Sequence, residues 1–84
     1  MQIKYRKGKN VVAYSYRITV IGIRQINEEN FRQALSEFNE LIRTTNYSCV
    51  LEKITNDNGK ELVKELYRGG TNTETGEKWI KEFT

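Results

Sequence analysis

On either side of Gly8-Lys9, apolar and polar positions alternate, the period-two signature of half-buried strands. A glycine at the first of two central positions suits a tight hairpin turn, with Lys7 facing Asn10. Tyr5 then faces Val12, Ile3 faces Tyr14 and Met1 faces Tyr16, so six apolar or aromatic side chains share one face. Gln2, Lys4, Arg6, Val11, Ala13, Ser15 and Arg17 take the other. A slip of one residue would undo that sorting, which is the argument for this register. The inward row continues through Ile18 and Val20. It shifts phase to Ile21 and Ile23, which predicts a bulge or bend at Gly22.

From about Glu28 to Arg43 the period changes to that of a helix. Phe31, Ala34, Leu35, Phe38, Leu41 and Ile42 fall on one side of the cylinder. Asn27 is the expected N-cap, Glu28 and Glu29 sit where the helix dipole favours negative charge, and Ile26 and Phe31 stand in staple positions. Thr44-Thr45-Asn46 should end the helix.

Tyr47 to Thr55 is rich in strand formers, and Asn56-Asp57-Asn58-Gly59 signals a turn. Lys60 to Arg68 admits two readings. As a strand after a three-residue turn, it sets Leu66, Lys64 and Leu62 opposite Val50, Glu52 and Ile54. As a helix, it presents Leu62, Val63, Leu66 and Tyr67 in a stripe that Gly69-Gly70 would stop. The strand is preferred. Gly69 to Gly76 reads as a polar loop without core residues. Glu77 to Thr84 should dock on the body as a short strand or helical turn through Trp79, Ile80 and Phe83.

The element order is hairpin, helix, hairpin (ββαββ) and a short C-terminal segment. The expected fold is α+β, one helix packed on a four- or five-stranded sheet in a single domain spanning residues 1–84. The order resembles the ubiquitin-like β-grasp layout, a likeness of element order that implies no function.

The chain has 84 residues, 37% hydrophobic and 30% charged, enough for one modest core. It carries no basic-then-apolar leader and no apolar run long enough to span a bilayer. A lone cysteine, Cys49, allows no internal disulfide, so a cytoplasmic setting without membrane contact is expected. The absence of proline and the abundance of Asn, Lys, Ile and Thr match the product of an AT-rich genome, such as that of a low-GC bacterium or its phage.

Charge changes the picture more than composition does. Residues 1–24 carry Lys4, Arg6, Lys7, Lys9, Arg17 and Arg24 and no acid. The remainder holds eight Lys and Arg against eleven acids, a net of −3. A basic lobe of this kind attracts nucleic acid, an anionic membrane or an acidic protein.

Histidine is absent, which excludes Ser-His-Asp and Cys-His constellations and His-ligated metals. One cysteine cannot build the common cysteine-rich zinc site. No phosphate-loop or dinucleotide fingerprint appears, so no cofactor is expected. Glu61 with Glu65, or Glu28 with Glu29, reads as solvated charge rather than a carboxylate pair. Cys49 reads as a small buried hydrophobe, and Trp79 and the tyrosines Tyr5, Tyr14 and Tyr16 as core.

The expectation is therefore a non-enzymatic protein-binding or regulatory module, of the kind a phage or mobile element encodes to inhibit a host protein. The alternative is DNA or RNA binding by the basic hairpin through Lys4, Arg6, Lys7, Lys9 and Arg17, since a flat basic ribbon suits a phosphate backbone. An unpaired strand edge would also make a homodimer easy.

Overall fold

A computed structural model describes residues 2–5 and 11–83, with the backbone alone for residues 2–5, 11 and 12. The elements are β1 (Gln2–Tyr5), β2 (Val11–Val20), β3 (Arg24–Glu28), α1 (Phe31–Thr44), β4 (Cys49–Asp57), β5 (Lys60–Thr71) and β6 (Lys78–Glu82). The strands form one six-stranded antiparallel sheet, ordered β1-β2-β4-β5-β6, with β3 also on β2. β1 pairs with the first half of β2 and β3 with its second half. The helix lies on one face, so the expected α+β arrangement holds, with one strand more than expected.

The core forms where the helix covers the sheet. Ala34, Phe38 and Ile42, four residues apart, make one buried stripe. They meet Tyr16, Ile18 and Val20 of β2 and Cys49 and Leu51 of β4. Tyr67 of β5 packs its ring 6.0 Å from that of Phe38. Tyr14 is half-buried against this cluster and Tyr16 is buried, as expected of core tyrosines. Trp79 is not core: it is 43% exposed. The last segment docks by strand pairing, Gly69 to Ile80 and Gly70 to Trp79, rather than by burying its aromatic.

Several local expectations are corrected. Gly22 is no bulge. It takes φ +78° in a turn closed by the Ile23 amide donating to the Val20 carbonyl at 2.9 Å, and the chain returns as β3. The helix therefore starts three residues later than expected. Asn30 is the cap, its side chain accepting from the Gln33 amide at 3.1 Å, which removes the staple between Ile26 and Phe31. Thr45 ends the helix, as expected.

Lys60–Arg68 is strand, not helix. Asn58 and Gly59 both have positive φ, 54° and 81°, so the loop has two residues and the type I′ twist that suits paired strands. The expected three-residue turn is thereby overturned and its register moves by one: Glu52 faces Glu65 and Ile54 faces Val63. A bulge at Leu66 then shifts the register again, to Leu51 with Tyr67 and Val50 with Arg68. Gly69 and Gly70 lie buried in β5 instead of opening a polar loop.

The first hairpin also differs by one residue: Tyr5 pairs with Val11, Ile3 with Ala13 and Gln2 with Tyr14. Sorting by hydrophobicity alone does not decide this register. The expected turn at Gly8-Lys9 lies outside the described residues.

Candidate functional site

A helix of 14 residues is about 21 Å long, whereas the molecule measures 53 × 20 × 19 Å. Sheet therefore extends past the core. The ends of β4 and β5, from Glu52 to Glu65 around the Asn58-Gly59 turn, form the tip of this arm. By the strand repeat they project about 20 Å beyond the last buried residue, Leu51.

The register sorts the arm's side chains by charge as well as by face. Lys53 opposes Lys64, Thr55 opposes Leu62 and Asp57 opposes Lys60, all on the face that carries the helix. Glu52 opposes Glu65, Ile54 opposes Val63 and Asn56 opposes Glu61 on the other. One face is thus a lysine cluster around Leu62, and its reverse a glutamate cluster around Val63. Leu62 is 50% and Val63 51% exposed. The Lys53 ammonium stands 4.7 Å from the centre of the Tyr14 ring, which anchors it on the basic face.

On the acidic face two arginines balance the facing glutamates. Arg17 Nε lies 3.3 Å from Glu52 and Arg68 Nε lies 2.7 Å from Glu65. Glu65, with a smaller contribution from Glu52, holds the Arg68 guanidinium above its usual pKa. Like charges directly opposite destabilise a sheet, and these pairings offset that repulsion.

The arrangement bears on the anion-binding residues expected from sequence. Arg17 is three-quarters covered and engaged by Glu52. Lys4 is placed only by its backbone, opposite Val12. Arg6, Lys7 and Lys9 lie outside the described residues. Among the described residues, no three His, Cys, Asp or Glu stand close enough to hold a metal ion, and no helix is long and apolar enough to cross a membrane. Cys49 is fully buried and burial pushes its thiol pKa up, as expected of an inert core cysteine.

Sequence reasoning allowed for an unpaired strand edge but did not place it on the arm. β6 pairs only with Tyr67 to Thr71, and the Phe83 amide reaches the Leu66 carbonyl at 2.9 Å. Before that point, over Lys60–Glu65, β5 pairs with β4 on one side and with no strand among the described residues on the other. Every second residue of such an edge turns its backbone N–H and C=O outward. The signal was present in the charges and the apolar pair that follow Asn58-Gly59, but it carries this meaning only once the segment is known to be a strand. A second exposed apolar group, Ile21, Ile23 and Tyr47, lies at the opposite end, where the Ile21 amide bonds the Ser48 carbonyl. Compared with family models, with curated proteins and with solved structures, the chain matches none.

Proposed function

We propose that this protein is a small protein-binding module that takes an extended segment of a partner onto its projecting arm, acting by occupancy rather than by chemistry. The single observation that carries the reading is the twelve-residue β5, whose first half pairs on one side with no strand among the described residues, flanked by the exposed Leu62 and Val63. An open edge supplies a row of backbone donors and acceptors for affinity, and alternate side chains on its two faces supply selectivity. Binding would obstruct whatever else the captured segment does, which is how a catalyst-free domain of this size regulates a partner.

The test is selection of peptides from a random display library on the purified domain. Enriched peptides should bind the wild type and lose binding to Leu62→Asp, whose fold is checked by circular dichroism. Labelled DNA and RNA are titrated in parallel at low and physiological salt. Failure to enrich any peptide overturns the reading. Nucleic-acid binding that falls steeply with salt would then favour the basic hairpin.

A further inference from the structure

The open edge has a charge pattern that specifies what can pair with it. Along Lys60–Glu65 the order is base, acid, apolar, apolar, base, acid. Lys60, Leu62 and Lys64 lie on the face that carries the helix, and Glu61, Val63 and Glu65 on its reverse. The edge is therefore basic above and acidic below, with one exposed aliphatic side chain on each side.

An antiparallel newcomer sets its side chains directly opposite those of β5 on the same face. Its residue opposite Glu65 should be basic and that opposite Lys64 acidic. The residues facing Val63 and Leu62 should be aliphatic, that facing Glu61 basic and that facing Lys60 acidic. From N- to C-terminus this reads base, acid, aliphatic, aliphatic, base, acid, the same order as β5 itself.

A second copy of the chain nevertheless cannot exploit that match. A two-fold axis joining two edges antiparallel in one continuous sheet stands perpendicular to the sheet. It keeps every side chain on its own face. Since opposed residues share a face, only registers that set a residue against itself or against one an even number of positions away are allowed. Centred on Leu62, Lys60 meets Lys64 of the second copy, twice. Centred on Val63, Glu61 meets Glu65, twice. Centring on Lys60, Glu61, Lys64 or Glu65 sets that charge against itself. Every symmetric register centred within this edge brings like charges together. The complementary register requires a strand with its faces exchanged, which a two-fold copy does not present.

We propose that the Lys60–Glu65 edge is a docking strand for an extended segment of a different protein, with the sequence pattern base, acid, aliphatic, aliphatic, base, acid. The same charges bar the chain from pairing with itself there. The proposal rests on the protein-binding reading above and names the chemistry of the partner. Each cross-strand charge pair contributes modestly on its own, so orientation and register come from four pairs acting together.

The test uses the full chain and four synthetic peptides: a capped peptide with the core Lys-Glu-Val-Ile-Lys-Glu, the charge-exchanged Glu-Lys-Val-Ile-Glu-Lys, and two versions of the first peptide N-methylated at alternate backbone positions, one in each phase. Binding is read by fluorescence anisotropy at low and physiological salt, and the oligomeric state by sedimentation. The first peptide should bind at least tenfold more tightly than the second at low salt. One N-methylation phase should abolish binding while the other is tolerated. The protein alone should sediment as a monomer. Equal affinity for the two charge patterns overturns the inference, as does a dimer that Leu62→Asp dissolves. So does the absence of binding by the first peptide. If the display selection still enriches peptides that require Leu62 but follow another charge order, the inference fails and the protein-binding reading stands.

Discussion

The ammonium group of Lys78 lies 2.7 Å from the carbonyl oxygen of Thr45, the residue that ends the helix. It also donates to Thr71 Oγ1 at 2.8 Å and to Asn46 Oδ1 at 3.1 Å. A cation at a helix C-terminus offsets the partial negative charge of the last carbonyls, and here it ties the helix to both β5 and β6. Lys78→Met keeps the aliphatic stem but removes the donors. It should cost about 1 kcal/mol, with charge and hydrogen bonding together. For a domain of this size that lowers Tm by roughly 4–8 °C. Thermal unfolding followed by circular dichroism measures it, and an unchanged Tm would mean that the bond carries no net stability.

Gly69 and Gly70 should respond differently to the same substitution. A Cβ on Gly69 would stand 2.8 Å from the Trp79 carbonyl oxygen and 3.0 Å from Ile42 Cδ1. The first of these is backbone of the paired strand and cannot swing away. A Cβ on Gly70 would meet Ser48 Oγ at 3.2 Å and the Trp79 indole nitrogen at 3.4 Å, both side-chain atoms that can move. Gly69→Ala should therefore cost about 1–3 kcal/mol, the range for overpacking a filled site. Gly70→Ala should cost less than half as much. Urea unfolding of the two variants decides it, and equal midpoints would contradict the close approach of β6 and the helix at Gly69.

The helix was legible because Phe31 to Ile42 repeats with one period over three turns, and the core it forms follows from that stripe. Its start was not. Asn27 followed by two glutamates looks like a cap, and only the pairing of Arg24–Glu28 with Tyr16–Val20 gives that segment to the sheet and leaves the cap to Asn30. With Ile26 as its single apolar residue, β3 has no alternation to detect. Both hairpin registers differ from expectation by one residue. In the second, no residue from Glu52 to Glu65 is buried to fix the register, so the two-residue turn decides it, and the bulge at Leu66 has no sequence signature. The charge polarity of residues 1–24 was legible. That Arg17 would face Glu52 was not, because it depends on a pairing between strands 35 residues apart.

Acid should strengthen the contact between the end of β3 and the middle of the helix. Glu28, at the end of β3, shares a hydrogen bond with Glu37 of the helix, which together with desolvation and the charges of Glu37 and Glu29 raises its pKa above the usual 4.5. Gln33, one turn before Glu37, also donates to the Glu37 carboxylate at 3.1 Å, and Arg32 lines an open depression together with Glu28 and Gln33. A carboxyl whose pKa is raised on folding contributes stability that is full below 4.5 and is lost as the pH climbs through the raised value. Glu28→Gln should keep the hydrogen bond without the titration. Its gain in Tm over the wild type should be largest at pH 7 and vanish near pH 4. A difference that does not change between those two pH values would show that the Glu28–Glu37 contact does not depend on a shared proton.

Cys49 reports the opening of the core. It is fully buried where β2, β4 and β5 meet, its partners across the strands being Val20 and Gly69. Burial raises its pKa, so the thiolate that reacts with disulfide reagents is scarce as well as inaccessible. Its reaction in the native protein should be slower than in urea by on the order of a hundredfold or more, with a rate that follows the population of opened molecules. Gly69→Ala, which strains the site from the β5 side, should accelerate the reaction. Leu62→Asp, on the open edge of the arm, should leave it unchanged. Rapid labelling of the native wild type would mean that the sheet opens at β4 without global unfolding. Acceleration by both variants would mean that the arm and the core unfold as one unit, in which case the edge cannot be redesigned for binding without a cost to the fold.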